Sequence, residues 1–253
     1  MIILTVGNLF GIGAAVLGAV AAGFKAVAAT VVAVAAKVGP ALAKIGTKLA
    51  ALASKIDWKK VGQVVEGASS LIGAVSKLVG VKNEDDPMIL AMKAEKAEKD
   101  RTQFETTQEY IDYLNKKCEM PTEQEIEEVK KDQSKKMGYQ LMGMAIEGKA
   151  AGEKLGMELS PEFYLTVGKI QAASDVKVSA EQLVAILKEM KKSGLSTLEV
   201  SNYLEGKAGE ETEAIGEKFT ESVSTISGID AEECIAEWKT GVRSVGEEKN
   251  TNN

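Results

Sequence analysis

Residues 9–36 read LFGIGAAVLGAVAAGFKAVAATVVAVAA, and Lys25 is their only charge. Eleven are Ala and eleven more are Leu, Ile, Val or Phe. As one helix the run would extend about 42 Å, more than the ~30 Å hydrocarbon core of a bilayer. Gly7, Gly11, Ala15, Ala19 and Gly23 step by four along it. That is the small-xxx-small ladder that lets two helix backbones approach closely, and these five residues form the expected helix-packing seam. Insertion is nearly balanced. Eleven large apolar side chains offer roughly −3 to −7 kcal/mol against about +3 kcal/mol for a central lysine, and the glycines and Thr30 erode the remainder. A segment this close to neutrality is expected to be sheltered by protein in one state and to enter lipid in another.

Working outward, Gly39-Pro40 breaks the first helix near Val38. Residues 41–56 then set Lys44, Thr47, Lys48, Ser54 and Lys55 on one stripe and Leu42, Ile45, Leu49, Leu52 and Ile56 on the other. Both sets step by three and four, as in an amphipathic helix. Lysines opposite Leu and Ile suit a surface of anionic lipid, so Lys44, Lys48 and Lys55 are the expected head-group contacts. Asp57 has the chemistry of an N-cap. Behind it Trp58, Val61, Val64, Val65, Ala68, Leu71, Ile72, Val75 and Leu78 trace another amphipathic helix that ends near Gly80.

The 253 residues accommodate one or two domains. Through Asn83 nine lysines meet only Asp57 and Glu66, a net of +7, which leaves −13 for the rest of a chain whose total is −6. Charge changes sign at Lys82-Asn-Glu-Asp-Asp-Pro87. This divides the expected organisation into a basic, apolar helical region (1–82), a linker (83–87), an acidic helical body (88–246) and a polar, loose tail (247–253). Helices are expected near 88–102, 107–117, 122–155, 161–173, 180–193, 197–226 and 231–246. Thr122 with Glu125, Ser196 with Glu199 and Asp230 with Glu233 have capping-box spacing, and Ser160-Pro161 pairs an N-cap with Pro at the first helical position. The Glu/Lys-dense stretch 93–135 suits an exposed, coiled-coil-like arm. No period-2 run of β-branched residues supports a strand. The expected fold is all-α.

The chain contains no histidine, which removes His-based acid–base chemistry, Ser-His-Asp and Cys-His nucleophiles and most zinc sites. Cys118 and Cys234 are isolated and define no disulfide framework. Residues 190–204, MKKSGLSTLEVSNYL, resemble a helix-turn-helix with Gly194 at the turn. The second helix, however, carries two glutamates and no basic residue, whereas phosphate contacts need Lys or Arg. It reads as a packing motif, and no nucleic acid is expected. Glu84-Asp85-Asp86 and Glu125 with Glu127 and Glu128 sit among lysines and read as solvated faces. Gly11-Ile-Gly13 lacks the preceding strand and following Lys-Ser/Thr of a phosphate loop. Tyr110, Tyr113, Phe163, Tyr164, Tyr203 and Trp238 read as core pins. No catalytic residue, metal site, cofactor or small-molecule substrate is expected.

A Gly/Ala-rich apolar helix, a basic amphipathic helix and long charged helices in one chain resemble two broad groups in style. One is the internal, membrane-interacting proteins of phage tails and related injection particles, including tape-measure and ejection proteins. The other is the α-helical pore-forming toxins or bacteriocin-like proteins, which insert a hidden apolar helix. The first resemblance implies a non-enzymatic structural part of a homo-oligomer or larger particle, meeting an anionic membrane. The second implies insertion of residues 9–36. A purely structural bundle is the remaining alternative. The start, MIILTVGN, lacks the charged n-region and cleavage site of a signal peptide. Synthesis in a bacterial cytoplasm without a cleaved leader is therefore expected, followed by incorporation in a particle or association with a membrane.

Overall fold

The computed structural model describes residues 22–207, 209, 211–226 and 230–246. Among these residues there are twelve α-helices and no strand, so the fold is all-α. In order they are α1 (Ala22–Val38), α2 (Pro40–Ala53), α3 (Trp58–Leu78), α4 (Pro87–Lys96), α5 (Thr107–Lys117), α6 (Glu123–Lys131), α7 (Gln133–Leu155), α8 (Pro161–Ala173), α9 (Ala180–Ser193), α10 (Thr197–Glu205), α11 (Thr212–Ser224) and α12 (Ala231–Gly246), with one 3-10 turn at Arg101–Gln103.

The expected breaks are made by the expected chemistry. α1 stops at Val38 because Gly39 adopts φ 84°, a backbone open mainly to glycine, and Pro40 starts α2. Asp57 accepts a hydrogen bond from the Lys59 amide and opens α3. Ser160 does the same for α8 through the Phe163 amide. Capping boxes open α5, α6, α9 and α10 at Thr106, Thr122, Ser179 and Ser196. Asp230 accepts from the Glu232 and Glu233 amides.

Four boundaries differ from expectation. The helix expected over 122–155 is two helices, because the Asp132 carboxylate accepts from the Ser134 and Lys135 amides and restarts the chain as α7. The one expected over 197–226 ends at Glu205, where Gly206 turns into the left-handed region at φ 74°. The one expected over 88–102 ends at Lys96. Ala97 is extended, and Asp100 caps the short 3-10 turn through the Thr102 amide. α2 ends at Ala53 rather than residue 56, so Lys55 lies in the turn before Asp57.

The exposed or coiled-coil-like arm expected over 93–135 is exposed only in part, since α6 buries just Val129 while α4 and α5 are packed down. Its helices lie on α7, with Tyr110, Ile111 and Leu114 of α5 fully buried. Tyr139 of α7 donates to Glu95 of α4 at 2.6 Å. Short helices with three buried large side chains gain more by packing than by standing free.

α7 is the axis of the first part of the molecule and packs against α1 through α6. It is buried on most of its circumference, including Met137, Leu141, Met142, Met144, Ala145, Ile146 and Ala151. Gly138, Gly143, Gly148 and Gly152 notch it where Thr30, the Pro87 carbonyl, the Tyr164 ring and the Met157 carbonyl approach. At Gly143 the approach is by backbone, since a Cβ there would stand 1.8 Å from the Pro87 oxygen. α3 lies between α7 and α8, and α8 carries the core on to α10 and α12. One apolar cluster runs from Phe24 through Leu141 and Tyr164 to Trp238. The helices on either side of residues 83–87 therefore share it.

Candidate functional site

Two features of the molecule concentrate charge in an unusual way, one on the surface and one in the interior.

The surface feature is the outer side of α1 and α2. Phe24, Val27, Val31, Val34 and Val38 alternate steps of three and four and face the core. Each fully buried side chain of this kind contributes about 1.5–3 kcal/mol before entropy. The exposed residues from 23 to 56 are Lys25, Ala29, Ala33, Ala36, Lys37, Pro40, Ala41, Lys44, Lys48 and Lys55. This face is lysine, alanine and one proline, with no acidic residue before Asp57. Lys44 and Lys48 lie on α2 a turn apart and solvent-exposed, as the spacing predicts. Lys48 also reaches Glu162 of α8 at 2.7 Å. Of the expected packing seam, Gly7, Gly11, Ala15 and Ala19 lie outside the described residues. Gly23 packs within the molecule, where a Cβ would meet the Trp58 ring at 2.7 Å. Phe24 stands edge-on to the same indole, 4.8 Å between centroids. Among the described residues no helix is long and apolar enough to cross a membrane.

The interior feature was not anticipated. Glu147 of α7 is 1% exposed. Its Oε1 accepts from Asn83 Nδ2 at 2.7 Å, while its Oε2 is buried without a hydrogen-bond partner among the described residues. The Asn83 amide also donates to the Asp85 carbonyl at 3.0 Å, and its oxygen accepts from the Asp85 amide at 3.3 Å. Ser76 of α3 donates to the Glu147 carbonyl at 3.2 Å. Asp85 in turn takes Lys93 of α4 at 2.7 Å, with both side chains mostly buried. The expectation that Glu84-Asp85-Asp86 is a solvated face holds for Glu84 and Asp86, which are exposed, and fails at Asp85. Asp85 is committed to Lys93, and Asp86 caps α4 through the Met88 amide.

Burial pushes the Glu147 carboxyl up to about 7. The Asn83 hydrogen bond and Lys77 pull it back, and Asp86 and Asp85 push it further up. The sequence carries one signal for this site. At i±3 and i±4 from Glu147 stand Gly143, Met144, Ala150 and Ala151, so the carboxylate sits on an apolar face.

Concavities are modest. An apolar cavity of about 20 Å³ lies among Phe163, Thr166, Ile170, Phe219 and Trp238, room for about one water. A shallow groove of about 590 Å³ runs between α7, α9 and the end of α11 over Leu155, Val184 and Ala185. Two of the lysines lining it are engaged, Lys191 with the Leu155 carbonyl and Lys192 with Glu189. The helix-turn-helix-like residues 190–204 pack into the core through Met190, Val200 and Leu204. The aromatic residues Tyr110, Phe163, Tyr164 and Trp238 are buried. Among the described residues no group of three or more Cys, Asp or Glu is placed to hold a metal ion.

The fold and this face together define an all-α protein whose first two described helices expose a basic face. No family model, no curated protein and no solved structure matches the chain.

Proposed function

We propose that this is a non-enzymatic structural protein that meets an anionic membrane through α1 and α2, and that it serves as an internal or tip component of a phage tail or related injection particle. The observation that carries the membrane reading is the exposed Lys/Ala face of residues 23–56 in a chain of net charge −6. A lysine close to an anionic leaflet contributes about 1 kcal/mol, and alanines between lysines let the helix lie flat in the head-group layer. The buried valines of α1 support the same reading. Apolar side chains that move from a protein core into lipid keep their shelter from water, so the hairpin has two acceptable environments. The particle assignment draws on the compositional style of the chain, and the protein would then act as one of several copies.

Vesicle flotation tests the reading. The full chain should float with vesicles containing phosphatidylglycerol and not with pure phosphatidylcholine, and binding should weaken as salt rises. Replacing Lys44, Lys48 and Lys55 with Gln should reduce partitioning about 100-fold, from roughly 1 kcal/mol per lysine. Equal binding to neutral and anionic vesicles, or none to either, overturns the membrane reading and leaves a helical scaffold. Dye leakage accompanying binding would favour the pore-forming alternative.

A further inference from the structure

We infer that Glu147 and Asn83 form a proton-controlled latch. It holds the 79–86 connection and the last turns of α3 against α7 when the carboxyl is protonated, and loosens when the carboxyl ionises. The inference does not depend on the membrane reading.

The geometry carries it. The connection between α3 and α4 folds back over α7, and its buried side chain, Asn83, has its hydrogen bonds committed to this junction. Asn83 spends one N–H on Glu147 and the other on its own turn. The connection is thereby joined to α7 by a single side-chain bond to a carboxylate. On the far side of that carboxylate Oε2 faces Gly73, where a Cβ would lie 3.1 Å away. An ionised carboxylate there is held out of solvent with one protein hydrogen bond, which is the costly form of a buried acid.

The charged groups around it do not offset that cost. Lys77 on α3 is exposed and attracts it, whereas Asp85 and Asp86 in the connection repel it. Lys93 on α4 is committed to Asp85. Asn115 of α5 contributes an amide to Asn83 at 3.5 Å, and α8 contributes the Tyr164 phenol, packed on Gly148.

The sign follows from proton linkage. The carboxyl holds its proton more tightly in the closed junction than in water, so closure is fully favoured below about pH 4.5 and is lost progressively as pH rises through about 7. The latch therefore closes on acidification and opens toward mild alkali, the reverse of an ion pair.

Hydrogen–deuterium exchange of the full chain tests this, with the wild type and Glu147→Gln compared at the same pH so that intrinsic exchange cancels. Gln keeps a carbonyl acceptor for Asn83 and cannot ionise. At pH 8 the amides of residues 74–86 and 140–150 should exchange on the order of 100-fold faster in the wild type than in Glu147→Gln, and the two should converge below about pH 4.5. Lys77→Gln, a surface change that leaves packing alone, should raise the pH midpoint of the effect by removing the one attractive charge. A wild type that matches Glu147→Gln at pH 8 overturns the latch. So does a Lys77→Gln protein whose midpoint matches that of the wild type.

Discussion

Every helix from α3 to α10 starts on a side chain that accepts a hydrogen bond from its first turn, whereas α2 starts on Gly39 with no such bond. The charges differ in the same way. On α1 and α2 all charges are lysines and one of them, Lys48, has a carboxylate partner within the molecule. The later helices carry buried or half-buried pairs, Lys93 with Asp85 and Lys169 with Glu205. From α3 to α10 the helices are thus specified locally, one by one, while the N-terminal hairpin depends on the apolar surface it covers. A segment that takes its stability from burial keeps that stability wherever burial is on offer.

The largest expected effect comes from the same substitution made in both regions. Gly143→Ala puts a Cβ against the backbone of Pro87, which cannot swing aside. A loss of about 3 kcal/mol or more in urea unfolding is expected, despite the ~1 kcal/mol that Ala gains in helix propensity. Gly46→Ala on α2 instead meets the Met142 side chain, a flexible thioether that can change rotamer, and should stay within about 1 kcal/mol of the wild type. Equal losses would erase the distinction between the two regions.

Next in size is the contrast between ion pairs. Lys93→Met leaves Asp85 uncompensated in a mostly buried setting, with an expected loss of about 3 kcal/mol. Lys48→Met removes a pair with an exposed lysine and should change stability by less than about 1 kcal/mol. Denaturation of both variants at low and high salt sharpens the comparison, since only the exposed pair should be screened.

Smaller again are the caps. Thr122→Ala and Ser196→Ala should each cost about 1 kcal/mol, read from the urea midpoint at unchanged slope. Smallest is Tyr164→Phe. The Tyr164 hydroxyl is buried with no hydrogen-bond partner among the described residues, so its removal should be neutral or stabilising by up to about 1 kcal/mol in a thermal melt.

The all-α class and most helix starts were legible in the sequence, because Asp57, Thr122, Ser160 and Ser196 announce themselves by chemistry that acts within four residues. The misread boundaries involve weaker versions of the same signal. Asp132 sits in VKKDQSKK, where lysines and Gln133 favour a helix, so the hydrogen bonds it accepts from the Ser134 and Lys135 amides were hidden. Gly206 and Gly209 in LEGKAGEE were visible, but the surrounding charge pattern masked the break. The interior site was least legible. Whether Glu147 is buried depends on α3, α4 and the connection folding over α7, and no local pattern states that. The apolar and small residues at i±3 and i±4 were the available clue. The lysine face was legible, since exposure of Lys44 and Lys48 follows directly from helical spacing.

The four glycines of α7 bear on how the molecule comes together. Relative to alanine they cost that helix roughly 3–4 kcal/mol of intrinsic propensity, yet α7 is the element around which six others pack. A peptide of residues 133–155 alone should therefore be largely unstructured. The axis of the fold forms only as its neighbours settle into its notches. Assembly of the core is for that reason a collective event, in which the central helix is last to be independent and first to require company.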